Sequence, residues 1–263
     1  MIRQVALFQF DACEQSRSGN LSRVAEAARV ATENSADILV LPEMWPCGYD
    51  LVAATAEEGW EREQLAVKEL SQQHSLAIVG SMLESMTDST DPRPANCAFA
   101  HEQGKEVARY RKAHLFAPLG EDRTVRAGDE YPQVFRLAGI RVAMAICYDL
   151  RFPELFRPAA VAGLDLLVIC AQWPEARISQ WRALLVARAI ENQCFVAGVN
   201  RRGLMGETLF GGHSLLVSPT GEVIVDAGVE EGLFYGCIDT AVVNDLRSNF
   251  PVLDDCRHDL NNP

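Results

Sequence analysis

Short apolar runs alternate with longer amphipathic segments along the chain, a pattern typical of a layered α/β protein. Residues 5–10 predict a strand, and Asn20 can cap a helix over 21–33. The apolar run 37–41 predicts a second strand, which Pro42 ends. These three elements form a βαβ unit.

The same alternation continues to about residue 200 and then gives way to short strands. We predict helices over 57–74, 153–162 and 177–192, and strands over 77–80, 96–102, 106–110, 141–146, 165–170, 194–200, 213–218, 222–226 and 234–239. An irregular region over 114–130 is typical of loops that form a site. ADILVLPEMW and LDLLVICAQWP resemble each other and indicate two similar halves. No linker-like composition separates them, so we predict a single domain over 1–263 with a polar tail at 244–263.

Charge and composition narrow the class of partner. The 263 residues include 24 Lys and Arg against 36 Asp and Glu, a formal charge of −12. This argues against a nucleic-acid or anionic-membrane surface and favours a small-molecule site. The longest uncharged apolar run, 166–171, is far shorter than the roughly 20 residues that span a bilayer. With no secretory signal visible, we expect a cytoplasmic protein.

The 8 cysteines are widely scattered and form no C-x-x-C pair. In a reducing compartment most of them should be free thiols, and we expect no structural zinc site. The remaining question is whether one cysteine is a reactive nucleophile.

Three strand ends carry side chains suited to chemistry: Glu43 follows ILVLP, Cys147 follows RVAMAI, and Trp173 follows LLVICAQ. Ligands of α/β sheets gather where strands end at their carboxyl side. We therefore expect a carboxylate, a thiol and an aromatic wall to meet in one cleft.

Cys147 is the favoured nucleophile. The dipole of a helix opening at Pro153, or a nearby cation, could stabilise its thiolate. Cys170 ends a neighbouring strand but lies in a wholly apolar run, and either thiol could simply be a small buried side chain. His114 and His213 are possible neighbours of the site or ordinary structural histidines.

Three segments in order resemble the signature of the nitrilase superfamily of carbon–nitrogen hydrolases, which consists of a Glu, a Lys and a Cys. They read LVLPEMWPCGYD around Glu43, YRKAHLF around Lys112 and AICYDLRFPEL around Cys147. WRALLVARAIENQCFVAGVNR and GGHSLLVSPTGEV extend the resemblance over almost the whole chain. The resemblance implies a four-layer αββα sandwich, no metal or organic cofactor, and a homodimer or higher homo-oligomer in which 244–263 packs on a partner subunit.

The resemblance also implies the roles of the site residues. Glu43 takes the proton of Cys147, whose sulfur attacks an amide carbon, while Lys112 and the backbone N–H of Tyr148 hold the oxyanion. Glu121 matches a second glutamate that positions the lysine and the substrate, although GED is also an ordinary exposed turn.

Within the superfamily, CYDLRFPEL and the QWP and RAIENQ segments look most like the ω-amidase branch. Its substrates, such as 2-oxoglutaramate, carry a carboxylate away from the reacting amide. Arg151 is the nearest cation to Cys147 that could bind this carboxylate, or it could pair with Asp149 or Glu154. Tyr49 and Trp173 could wall the pocket.

Four other functions stay open at this stage. The chain could be an amidase for deaminated glutathione or for another aliphatic amide. It could be a catalytically idle binding relative, although binding alone would not need Glu43, Lys112 and Cys147 together. A thiol redox protein is weakened by the lack of a resolving cysteine.

Overall fold

A computed structural model describes residues 1–12, 16–48, 57–86 and 91–257. The strands are β1 (Ile2–Gln9), β2 (Ile38–Val40), β3 (Ala77–Glu84), β4 (Ala95–Glu102), β5 (Lys105–Arg111), β6 (Phe135–Leu137), β7 (Ile140–Ile146), β8 (Leu166–Ala171), β9 (Phe195–Asn200), β10 (Arg202–Met205), β11 (Thr208–Gly211), β12 (Leu215–Val217), β13 (Val223–Asp226) and β14 (Gly232–Asp239). The helices are α1 (Arg17–Glu33), α2 (Glu57–Gln73), α3 (Glu121–Thr124), α4 (Arg157–Val161), α5 (Ile178–Asn192) and α6 (Thr240–Asn249).

The strands form two six-stranded mixed sheets and a two-stranded ribbon, β10–β11. One sheet has the order β14-β1-β2-β3-β4-β5 and the other β13-β12-β9-β8-β7-β6. In each sheet three consecutive strands are parallel, β1–β2–β3 and β7–β8–β9, and the outer strands run antiparallel. The two similar sequence segments are β2 and β8, which are the middle strands of these parallel sets.

Alternate side chains of β1 pack in opposite directions and so define the layers. Val5 and Leu7 belong to a core shared with the second sheet and with Trp181 of α5. Ala6 and Phe8 belong to a separate core with α1 and α2. The order is therefore helices, sheet, sheet, helices, and the predicted αββα sandwich is confirmed.

The predicted cap of the first helix is wrong. The helix begins at Arg17, with Ser16 in the N-cap position, so Asn20 lies inside its first turns. The Asn20 side chain is buried, and its Nδ2 donates to the carbonyl of Pro46 at 3.0 Å. Asn20 therefore fixes the loop that follows β2, rather than starting a helix.

The single helix predicted over 153–162 is also wrong. A 3-10 turn, Pro153–Leu155, precedes the five-residue helix α4. Pro158 lacks the N–H that a longer helix would need at this point, so helical hydrogen bonding cannot run through it. No long helix therefore opens behind Cys147.

The chain end and the ribbon also differ from the sequence-based prediction. Residue 244, the predicted start of the polar tail, lies within α6, which Asp239 caps by accepting from the backbone N of Ala241 at 3.0 Å. Strands β6, β10 and β11 were not predicted, because three or four residues give too little alternation to recognise. Among the helices of the described residues, none combines the length and apolar character needed to cross a bilayer.

Candidate active site

Glu43 lies directly beyond the carboxyl end of β2, in a loop fixed on several sides. Its side chain is fully buried. The next residue, Met44, has a φ of 43°, and its backbone N donates to the hydroxyl of Ser81 at 2.9 Å. The carboxylate is thus held below the surface, between the two sheets' strand ends.

Lys112 follows β5 and places its ammonium between two carboxylates. Its Nζ donates to Glu43 Oε1 at 2.8 Å and to Glu121 Oε2 at 2.8 Å. All three side chains are fully buried. Burial raises the pKa of the Glu43 carboxyl, and the Lys112 charge opposes this rise. The structure brings Glu43, Lys112 and Glu121 into contact in one cluster.

Asn96 is a site residue that the sequence reasoning missed. Its Nδ2 donates to Glu43 Oε1 at 2.8 Å and to Glu121 Oε1 at 3.2 Å, while Ser81 Oγ donates to its Oδ1 at 3.1 Å. The signal was an amide near the start of β4, followed by the apolar run 97–100. Asn96 therefore orients both carboxylates on the lysine.

Cys147 begins a 3-10 turn, Cys147–Arg151, at the carboxyl end of β7, with a φ of 46°. The thiol lies close enough to Glu43 to oppose the rise in the pKa of that carboxyl. Its Sγ also lies 3.7 Å from the carbonyl of Gln172, as donor. Burial raises the pKa of this thiol well above its usual range, and the Glu43 charge adds to the rise. The helix predicted to open at Pro153 is absent, and burial favours the neutral thiol, which then needs a base to become a nucleophile.

Gln172, also missed, connects the base with the thiol. Its backbone N donates to Glu43 Oε2 at 2.9 Å, its Nε2 donates to the Glu43 carbonyl at 2.8 Å, and its own carbonyl accepts from Cys147. Arg201 holds the far end of the amide, donating to Oε1 at 3.0 Å. Gln172 directly follows β8 and precedes Trp173, so the expectation that ligands gather where strands end applies equally to it.

Cys147 opens into a narrow pocket of about 20 Å³. Trp173 is buried and forms part of the wall, as predicted. Tyr49 lies outside the described residues. The lining residues are Phe116, Cys147, Tyr148, Arg151, Gln172, Trp173, Pro174 and Arg177.

Two arginines line this pocket, of which the sequence indicated only one. Arg151 donates to Gln180 Oε1 at 2.7 Å and lies 4.7 Å above the Trp173 ring. Arg177 lies 5.8 Å from the centre of the Phe116 ring. Neither forms an ion pair with a described carboxylate, so the suggested pairing of Arg151 with Asp149 or Glu154 is not observed. Two positive charges therefore remain available to an anion.

The other candidates from the sequence lie outside the pocket. His114 is close to the site and contacts Asp149 through Nδ1 at 3.0 Å. His213 instead contacts Asp226 through Nδ1 at 3.3 Å. Cys170 is buried within β8 and does not line the pocket. In the described ranges no three His, Cys, Asp or Glu side chains are arranged to hold a metal ion.

Comparisons of the sequence and of the structure with known proteins indicate the same family. The carbon-nitrogen hydrolase family model matches residues 4–248. A 2-oxoglutaramate amidase of Bacillus subtilis is 38% identical over 97% of this chain and 98% of its own length. The omega-amidase YafV of Escherichia coli is 33% identical over 83% of this chain and 84% of its own. The solved structure of a variant of the amidase from Nesterenkonia sp. AN1 superposes with a TM-score of 0.88 at 27% identity. The match covers 98% of this chain and 95% of that chain. That structure shows covalent addition of the acetamide moiety of fluoroacetamide at the active site cysteine.

Proposed function

The chain belongs to the carbon–nitrogen hydrolase family, and from that premise we propose that it hydrolyses the ω-amide of a short dicarboxylate, such as 2-oxoglutaramate, to acid and ammonia. One observation carries the proposal. A buried Glu43–Lys112–Glu121 cluster is joined through Gln172 to the Cys147 thiol, beside a small pocket that holds two arginines without a described carboxylate partner. The similarity to 2-oxoglutaramate amidase supports the substrate.

The first half of the reaction forms a thioester. Glu43 accepts the Cys147 proton as the sulfur attacks the amide carbon, so no free thiolate has to form in the buried site. The Lys112 ammonium and the backbone N–H of Tyr148 stabilise the negative oxygen of the tetrahedral intermediate. Glu43 then gives the proton to the leaving nitrogen, the C–N bond breaks, and ammonia departs.

The second half regenerates the thiol. Glu43 accepts a proton from water, and the resulting hydroxide attacks the thioester carbon. The C–S bond breaks, the acid is released, and Glu43 returns the proton to sulfur. These steps use only Glu43, Lys112, Cys147 and backbone donors, with Glu121 and Asn96 keeping the lysine in place.

Arg151 and Arg177 are proposed to bind the distal carboxylate. Replacing either by glutamine should lower the preference for 2-oxoglutaramate over butyramide by about 10- to 100-fold, since one charge-assisted hydrogen bond contributes about 1.5–3 kcal/mol. The measurement is the ratio of kcat/KM for the two amides. Arg182→Gln is the matched control, because Arg182 lies on α5 outside the pocket and pairs with Asp226. Equal ratios in all four proteins would remove the arginines from recognition.

The pH dependence of kcat/KM should reflect the raised pKa of Glu43, the general base. Burial raises the pKa of Glu43 above its ordinary value of 4.5. Glu43 must be ionised to accept a proton, so activity is lost as the pH falls through the raised pKa. We expect the acid limb of kcat/KM above pH 4.5. With circular dichroism showing folded protein throughout, an acid limb at or below the ordinary value would contradict this.

We also propose a homodimer in which the segment 244–263 packs on a partner subunit. Phe250 is 64% exposed just beyond α6, and Val242 on α6 is 42% exposed, which supports an apolar contact there. Phe250→Glu should shift the mass measured by light scattering from two chains to one. Leu209→Glu, at an exposed position on the ribbon, is the control. A monomeric wild type, or an unchanged dimer in the variant, would oppose the proposal.

A cytoplasmic location is proposed on the state of the cysteines. The cysteines in the described part of the chain are all free thiols, as is usual in a reducing compartment.

The substrate is tested by ammonia release from a panel of amides. We expect the highest kcat/KM with 2-oxoglutaramate or 2-oxosuccinamate. A preference for deaminated glutathione, for simple aliphatic amides or for a nitrile would replace the proposed substrate class. Silence on every compound would favour a catalytically idle binding relative.

A further inference from the structure

Asp149 is a buried carboxylate that the reaction steps above do not use. Its Oδ1 accepts from the backbone N of His114 at 2.9 Å and contacts His114 Nδ1 at 3.0 Å. Its Oδ2 accepts from the hydroxyl of Tyr110 at 2.9 Å and from the backbone N of Ile146 at 3.1 Å. Asp149 is fully buried, so these contacts replace its hydration.

These contacts connect the two segments that carry the oxyanion donors. Tyr110 and His114 lie two residues before and two residues after Lys112. Asp149 itself follows Tyr148, whose backbone N–H is the second donor, and lies two residues after Cys147. One carboxylate therefore binds both sides of the lysine segment and sits within the turn of the nucleophile.

A different residue holds the nucleophile against its base. Gln172 accepts from the Cys147 thiol through its carbonyl and donates to Glu43 through its backbone N. Within the described part of the chain, Asp149 makes no hydrogen bond to Glu43 or Gln172. Loss of the Asp149 contacts should thus disturb the oxyanion donors, while the hydrogen bonds that join the thiol to its base through Gln172 remain.

We propose that Asp149 is a positioning residue that sets the Lys112 ammonium and the Tyr148 N–H relative to the Cys147 sulfur. The proposal rests on the proposed function only for the kind of reaction, acyl transfer to Cys147, and not for the identity of the amide. A displacement of about 1 Å at reacting groups can change a rate about 100-fold, so such a residue has a measurable effect without touching substrate.

Two reactions of the same sulfur separate this role from general support of the fold. With p-nitrophenyl acetate, the sulfur attacks the ester carbon through an oxyanion, a thioester forms, p-nitrophenolate leaves, and Glu43 takes the thiol proton. With iodoacetamide, Glu43 again takes the thiol proton and the sulfur displaces iodide from a saturated carbon, so that no oxyanion develops. Only the first reaction needs the two donors.

The experiment measures both rate constants at Cys147, with the modified residue identified by mass spectrometry. Asp149→Asn keeps the size of the side chain but replaces one carboxylate oxygen by an NH2 group. That group cannot accept the two hydrogen bonds that the oxygen accepts. We expect acylation to fall by about 10- to 100-fold, and alkylation to change by less than about 3-fold. Tyr110→Phe removes one of the contacts of Asp149, together with a 3.3 Å hydrogen bond that the Tyr110 hydroxyl accepts from the backbone N of Ala113, and should lower the same ratio by about 3- to 10-fold.

Asp165→Asn is the matched control. Asp165 is also buried and binds Arg141 through its backbone N at 2.9 Å and its Nη2 at 2.8 Å, but it precedes β8, at the end of the strand opposite the site. Its ratio of the two rates should equal that of wild type.

An unchanged ratio in folded Asp149→Asn protein, a parallel fall of both reactions, or an equal fall in Asp165→Asn would overturn the proposal. If Asp149→Asn does not fold, an unchanged ratio in Tyr110→Phe overturns it instead. A wild type that is silent on 2-oxoglutaramate while the ratio still falls in Asp149→Asn would refute the proposed substrate and support the positioning role.

Discussion

Cys147→Ala is expected to lower ammonia release from 2-oxoglutaramate by on the order of 10⁵-fold or more, as removal of a covalent nucleophile does in other hydrolases. The sulfur forms the thioester, and no other described thiol lines the pocket. Alanine fills less space than cysteine and buries no titratable group, so the fold should be kept. The measurement is single-turnover ammonia release with enzyme in excess.

Cys170→Ala is the matched control for this prediction. Cys170 is another fully buried thiol, on β8 beside the strand that leads to Cys147, but it does not line the pocket. Its loss should cost some stability and little activity. Activity of Cys147→Ala within about tenfold of wild type, or equal losses in both variants, would refute covalent catalysis by Cys147.

Lys112→Met should be the most destabilising of the proposed substitutions, because it leaves two buried carboxylates without their cation. Glu43 and Glu121 are both fully buried, and both accept from Lys112 Nζ. Breaking a buried ion pair on one side costs about 3–5 kcal/mol of unfolding free energy. The oxyanion also loses a charged donor, so kcat should fall by about 10²- to 10³-fold. Urea unfolding and steady-state assays measure the two effects.

A second substitution separates the structural from the chemical role of the lysine. Glu121→Gln in the Lys112→Met background removes the charge of one of the two buried carboxylates that lack their cation. Part of the lost unfolding free energy should therefore return. Activity should stay low because the oxyanion donor is still missing. The double-mutant cycle should show a coupling of about 0.5–3 kcal/mol. Additive losses, or Lys112→Met protein as stable as wild type, would contradict the described charge arrangement.

Strand ends were the part of the site that the sequence predicted best. Glu43, Cys147 and Trp173 each follow a short apolar run, and such runs end at the edge of a sheet where ligands collect. Lys112 also follows a strand, but β5 is mostly exposed and carries no apolar run, so the choice of Lys112 depended on the resemblance to a family signature.

The sequence did not indicate residues whose role depends on neighbours that are distant along the chain. Gln172 and Asn96 are ordinary polar residues in the sequence, and their importance comes from the carboxylates that the fold brings to them. Arg177 looks like a solvated charge until the 3-10 turn before α5 places it beside the pocket. The helix predicted over 153–162 failed for a local reason, since Pro158 interrupts it.

Thioester formation at Cys147 is the central claim, and it can be observed directly. Wild-type protein mixed with 2-oxoglutaramate is quenched in acid within milliseconds, and the intact and digested protein is weighed by mass spectrometry. The account predicts a transient mass increase equal to the substrate less ammonia, located on Cys147 and lost as the acid product appears. Steady release of ammonia with no adduct on Cys147 at any time, even when hydroxylamine is added to intercept a thioester, would contradict it.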